Sequence, residues 1–401
     1  MISLKKAPTW LSIAYALIDA SFCLPVIMLF YGYKGVGMGD FFLIQGIALL
    51  MIFILEIPTG YIGDIFSRKN TLLASTLVWI IGHLIWIFGF GFWFILAGEV
   101  TFALSISLMS GTLEAYFYDL LKKRHKETKF HKKYAKMKLL TNLFLTIATL
   151  TGAFIYQFFG PTAPLWLIVM CSTTALIIIY LLPDVPESKR IVTENKSKLQ
   201  DILDISKFAL KNQEIKWLMI FPAVYGMLTL ILMWGLQSVM IVKHLPIFMF
   251  SLIMGANAFS RTLWSGISGK LLEKINLSGI IKLLSIIIII ATIGACIAEH
   301  MATWAVYICL VLMILGSSSV VLSNIATTIL INHRIQSDER ATILSVSSMI
   351  NRIFWALSMI GLKPLFDTIG VSQTFMVSTL LLIPTLMCAH HLYKMHLKII
   401  N

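Results

Sequence analysis

The sequence predicts an all-α integral membrane protein, with twelve transmembrane helices in two pseudo-symmetric six-helix bundles. Three observations carry that expectation. Of 401 residues, 58% are apolar and 13% charged, and the mean hydropathy is +0.87; ordinary soluble domains carry about 25% charged residues. Apolar runs of about twenty residues, enough to cross a bilayer, recur along the whole chain. Lys and Arg are also unevenly shared: 27 of the 32 fall in segments on one side, three on the other and two within spans.

Taken in order, the first run, 10–31, is longer than the 7–15 apolar residues of a signal core and reads as a retained first span. Spans follow near 41–61, 71–91, 93–121, 139–159 and 164–182. A polar stretch then opens with Pro183 and Pro186, and residues 199–210 read as an amphipathic helix on the membrane surface. This linker, 183–215, separates a first bundle, 1–182, from a second, 216–401. The second bundle holds spans near 217–241, 247–271, 279–298, 301–331, 341–365 and 371–392. Gly266-Ile-Ser-Gly269-Lys270 after the eighth span echoes Gly60-Tyr-Ile-Gly63-Asp64 after the second. Internal duplication of this kind is a feature of secondary transporters.

The basic side holds both termini, so the positive-inside rule places them in the cytoplasm. The net charge of +13 is concentrated there, above all in nine basic residues between Lys122 and Lys138. That cluster reads as an anchor against anionic headgroups rather than a nucleic-acid patch. Cys23, Cys171, Cys296, Cys309 and Cys388 all fall in apolar runs without metal-ligand spacing, so neither a metal nor a disulfide is expected.

The chain is organised around Glu56-Ile-Pro58-Thr-Gly60-Tyr-Ile-Gly-Asp64-Ile-Phe-Ser-Arg68-Lys69. The apolar run is expected to break at Pro58 and Gly60 into a tight charged loop. Gly60 to Lys69 resembles the cytoplasmic loop signature G-x-x-x-D-R-x-G-R-[RK] of the major facilitator superfamily. Glu56 to Gly60, Ser110 to Asp119 and Ser337 to Ser345 resemble a bacterial drug- and metabolite-exporter branch of it. Ile65 stands where the signature has Arg, and Ser67 where it has Gly. Glu99 sits where many members carry Arg, and the fifth span lacks the Gly-Pro signature of many proton antiporters. The resemblance implies the major facilitator fold and gating by Gly60, Asp64, Arg68, Lys69 and Asp119. In it, Asp64 would pack against the start of span 11 near Ala341, and Arg68 would pair with Asp119.

Ionisable residues at bilayer depth are costly and call for a role. Asp19 lies about 14 Å from the inner edge at 1.5 Å per residue, and Arg261 and Arg352 share that depth. Helical stripes accompany them: Ser12, Tyr15 and Asp19; Asn257, Arg261, Ser265 and Ser268; Ser345, Ser348, Arg352 and Trp355; Ser107, Ser110 and Glu114. Asp19, with Glu56 and Glu114, is either a proton-coupling carboxylate or a static partner to an arginine. Arg261 and Arg352 either clamp an anionic substrate or latch the halves together. Tyr225, Trp234 and Gln237, with Ser323, Asn324 and Thr327, could line a pathway. His83 stands alone and reads as a packed residue.

The expectation is a bacterial inner-membrane secondary transporter with both termini cytoplasmic, working as a monomer by alternating access. It would export a small organic molecule, with an anionic metabolite such as a siderophore favoured over a cationic drug. The proton gradient would drive it, without a cofactor. Uptake of a nutrient on the same fold is the nearest alternative. A lipid enzyme is disfavoured, because no loop holds a His/Asp/Cys or Ser/His constellation; a non-transporting receptor is the third reading.

Overall fold

The computed structural model describes residues 2–65, 67–185, 212–334 and 337–400; the side chains of 57, 60–65, 333, 337–342 and 395–400 are not described. The surface helix expected at 199–210 lies outside the described residues. Among the described residues, ten helices are long and apolar enough to cross a membrane. The other two expected spans are the first, which is split, and the eighth, Ile247–Lys274, which carries Arg261. All twelve expected spans are helical, so the chain is a multi-pass, all-α membrane protein.

The chain divides into two compact units, Met1–Val192 with Pro246–Gly255, and Thr193–Leu245 with Ala256–Asn401. The first contains α1 (Ala7–Ile18), α2 (Ile27–Tyr33), α3 (Met38–Ile65), α4 (Arg68–Phe88), α5 (Phe92–Met109), α6 (Thr112–Lys122), α7 (Phe130–Phe159) and α8 (Ala163–Leu181). Here α4 packs on α5 and α8, α3 on α5, and α1 on α7 and α8. Leu11, Tyr116, Phe117, Leu120, Met137 and Ile179 meet in its core. Exposed Phe88, Trp93, Phe158 and Phe159 sit at the ends of α4, α5 and α7, as interfacial aromatics do.

The second unit is built around α9 (Gln213–Val242), which packs against α12 (Thr303–Ser318), α13 (Val320–Arg334), α14 (Ser337–Thr368) and α16 (Leu382–Ile400). The remaining helices are α10 (Ile247–Lys274), whose first turns as far as Gly255 belong to the first unit, α11 (Leu277–Ile297) and α15 (Gly370–Ser378). Trp355 seats over Gly226, where an added Cβ would lie 2.2 Å from the indole nitrogen, and its Nε1 donates to the Ala223 carbonyl at 3.1 Å.

Several expected details change. The helix does not break at Pro58 and Gly60; α3 continues to Ile65 with Pro58 inside it. Thr59 Oγ1 donates back to the Leu55 carbonyl at 2.7 Å, one turn away, next to the Ile54 carbonyl that Pro58 leaves without its i−4 donor. Ser67 then caps α4, accepting from the Asn70 N–H at 3.2 Å, which gives the serine at the signature's glycine position a structural use. Conversely, four expected continuous spans are interrupted, the twelfth by a 3₁₀ turn at Thr379–Leu381. The first stops at Asp19 and resumes through a 3₁₀ turn at Leu24–Val26. The fourth stops at Ser110–Gly111, with Gly111 at φ +73°. The tenth is divided at Ser319.

Candidate functional site

The interruptions of the first and fourth spans share one cavity inside the first unit. Its volume is ≈ 410 Å³, and it is bordered by Tyr15, Asp19, Trp79, Glu114, Tyr134 and Lys138, with Ser110 and Gly111 at the break itself. Pro25 removes one backbone donor from the first span, and the chain between Asp19 and Leu24 leaves the helix. Asp19 therefore sits at the carbonyl end of α1, its own N–H donating to Tyr15 O at 3.0 Å. A helix C-terminus carries partial negative charge, so Asp19 and α1 together attract a cation, an amine or hydroxyl donors. Its carboxylate makes no hydrogen bond or ion pair among the described residues.

Across the cavity, Gly111 starts α6 and puts Glu114 in its first turn, where the helix dipole favours a carboxylate. Tyr134 Oη donates to Glu114 Oε1. The Lys138 ammonium lies 5.1 Å from the Tyr15 ring centroid and 5.4 Å from that of Tyr134, within cation–π range. Trp79 borders the same space, and its indole N–H is buried without a hydrogen-bond partner among the described residues. The site thus combines aromatic walls, two carboxylates, one ammonium and an unspent acceptor.

At the charged motif, Arg68 forms an ion pair with Asp119 and also donates to the Ala115 carbonyl at 3.1 Å. Lys69 is buried, with Nζ 3.4 Å from Asp184 Oδ1. Gly60, the Asp64 side chain and its expected partner surface near Ala341 fall outside the described side chains. Glu56 is half-buried on α3.

The second unit separates residues that the sequence places on one stripe. Asn257 is buried and donates to Ser317 Oγ at 2.6 Å, whereas Arg261 is exposed, its guanidinium 4.0 Å from Met233 Sδ. Tyr225, fully buried, shares a 2.6 Å hydrogen bond with Ser319. Ser260 and Trp264 both meet Ser318. Tyr225 and Asn257 therefore meet a serine hub at the interruption of the tenth span. Gln237 is fully buried, and Asn324 and Arg352 are half-buried. His83 packs between Trp79 and Phe102 and bonds the Trp79 carbonyl at 2.8 Å.

Sequence reasoning missed Trp79, Tyr134 and Lys138. Lys138 was grouped with the basic anchor; its signal was position, one turn beyond Tyr134 on a helix entering an apolar run. Among the described residues no group of His, Cys, Asp or Glu could hold a metal.

The comparisons with known proteins agree with this architecture. The family model of the Major Facilitator Superfamily matches residues 9–359, and the chain belongs to that family. It is a transporter rather than an enzyme, and transporters of this family need no cofactor. An uncharacterized transporter, BU466, of Buchnera aphidicola subsp. Acyrthosiphon pisum (strain APS) is 26% identical over 175 residues, a match that spans 43% of each chain. Among solved structures, a mutant of the nucleoside transporter NupG aligns with a TM-score of 0.81 at 14% identity, covering 98% of this chain and 100% of that one. A bacterial homolog of the human lysosomal transporter Spinster, in an inward-facing and unoccupied conformation, aligns with a TM-score of 0.70 at 13% identity, covering 97% and 96%.

Proposed function

We infer that this transporter binds a small organic solute in the first-unit cavity and carries it by alternating access. The observation that carries the reading is Asp19, an unspent carboxylate at a helix break inside an aromatic-walled cavity. Desolvating such a group without a partner is costly, so a solute that supplies donors is favoured there. The matching cargo has a planar ring to stack on Tyr15, Trp79 or Tyr134, with hydroxyl or amine groups for Asp19. Lys138 would hold an electron-rich or anionic substituent of it.

The direction we favour is export across the bacterial inner membrane, driven by the proton gradient, on the resemblance of the Glu56–Lys69 and Ser110–Asp119 segments to exporters. Gating belongs to Arg68 and Asp119, with Asp64 as their motif partner. A second reading, uptake of a nucleoside-like nutrient, is favoured by the fold likeness to NupG.

Whole-cell accumulation of a panel of metabolites, nucleosides and dyes, with wild type beside Asp19→Asn and Lys138→Ala, tests both. Export predicts compounds retained only by the variants, with wild type behaving alike once the proton gradient is collapsed. Compounds accumulated only by wild type would establish uptake instead. A panel on which all three strains behave alike, with protein levels equal, would remove the cavity from the transport path.

A further inference from the structure

A second acid of the first unit has surroundings quite unlike those of Asp19. Glu99 on α5 is 8% exposed. Tyr31 Oη and Gln45 Nε2 both donate to its Oε1, each at 2.6 Å. Oε2 accepts from no group among the described residues. Gln45 also lies 3.4 Å from Tyr31 Oη, which closes a three-residue cage. The walls are aromatic: Tyr31 is fully buried and packs edge-on against Phe41 and Trp86.

Among the described residues no cation neutralises this carboxyl, and it has no ion pair. The titratable groups around it are Tyr31 and Cys23 from the first span, while α3 contributes neutral Gln45 and His83 of α4 packs on Phe102, one turn along α5. His83 is occupied by the Trp79 carbonyl. Lys34 is committed elsewhere, donating to Ile87 O at 2.7 Å with its ammonium 4.0 Å from the Phe90 ring centroid. A buried ionised carboxylate is ordinarily paired, and this one has neutral donors alone. Both donors on one oxygen leave the other to carry a proton.

We propose that Glu99 is a proton-binding site, in which Tyr31 and Gln45 hold a neutral carboxylic acid that exchanges its proton with solvent. Loss of that proton leaves a carboxylate on which the same two donors still converge, so the cage accommodates either form. The proton goes to water, and no other bond is made or broken. The cage differs from the Asp19 cavity, which has room for a solute. In a proton-driven transporter this divides the labour: Asp19 meets cargo and Glu99 meets the proton. That division rests on the transport reading, whereas the protonation of Glu99 does not.

Infrared difference spectroscopy of the purified full chain in lipid vesicles tests the protonation directly. Wild type at neutral pH is expected to show a carboxylic-acid C=O band that is lost in Glu99→Gln. The band should remain in Asp19→Asn and Glu114→Gln, and move to lower frequency when H₂O is exchanged for D₂O. Absence of the band from wild type, its survival in Glu99→Gln, or its indifference to D₂O would overturn the proposal. Should Glu99→Gln fail to fold, Tyr31→Phe removes one donor and keeps the ring; an unshifted band there would also overturn it. None of these readouts needs the cargo, so a failure here leaves the transport reading standing.

Discussion

Lys34, Lys243 and Lys363 are the three lysines that the sequence assigns to the sparsely charged side, and the structure gives each a specific use. Lys34 is 1% exposed and caps the end of α4 through Ile87 O. Lys243 donates to Glu299 O and Met301 O, both at 3.0 Å. Lys363 forms an i,i+4 pair with Asp367 at 2.8 Å. Burial sets the order of their contributions. Lys34→Met leaves a buried carbonyl without its charged donor and removes the contact with Phe90, a loss of about 2 kcal/mol. Lys363→Ala, an exposed helical pair, costs a few tenths of that figure. Thermal unfolding of the purified variants in detergent should therefore separate Lys34→Met clearly from wild type and leave Lys363→Ala near it. The reverse ranking would show that the Lys34 contacts do not persist in solution.

The interruptions of the spans rest on close approaches that single side chains control. Gly152 on α7 faces the break in the first span, where an added Cβ would lie 2.0 Å from the Phe22 carbonyl oxygen. Backbone cannot step aside as a flexible side chain can, so Gly152→Ala should destabilise by about 1–3 kcal/mol. Gly266 on α10 has open space around its Cβ position, and Gly266→Ala in a helix interior should be neutral or stabilising by about 0.5–1 kcal/mol. Measured side by side by thermal unfolding in detergent, equal effects would sink this contrast.

The same elements show what the sequence made legible. Span number and type were readable because apolar length is a strong and local signal. The interruptions were not, because hydropathy averages across a break: Pro25 and the Ser110-Gly111 pair vanish in a twenty-residue window. Pro58 misled in the opposite sense, since one proline in a long helix can be accommodated. The ion pair of Arg68 and Asp119 was accessible through the motif. Lys138 and Tyr134 were hidden by the chain separation between α1 and α7, which only packing brings together.

Across the whole chain, the two units meet one geometric requirement with different chemistry. The fourth span is interrupted at Ser110–Gly111, and its counterpart in the repeat, the tenth, at Ser319. In the first unit the device is backbone freedom, with Gly111 at φ +73°. In the second it is side-chain competition: Ser317, Ser318 and Ser319 each donate to a carbonyl three residues back, at 3.2, 3.2 and 2.6 Å. Gly111→Ala should therefore cost about 1 kcal/mol, the strain of a side chain in the left-handed region. Ser318→Ala leaves Trp264 Nε1 and Ser260 Oγ without their shared partner, at about 1–3 kcal/mol. The two sites share no partner, so the double variant should lose the sum of the two within about 0.5 kcal/mol. Thermal unfolding of the two single variants and the double in detergent measures this. A larger departure would mean that the counterpart breaks are energetically coupled across the repeat, and that the units do not respond independently.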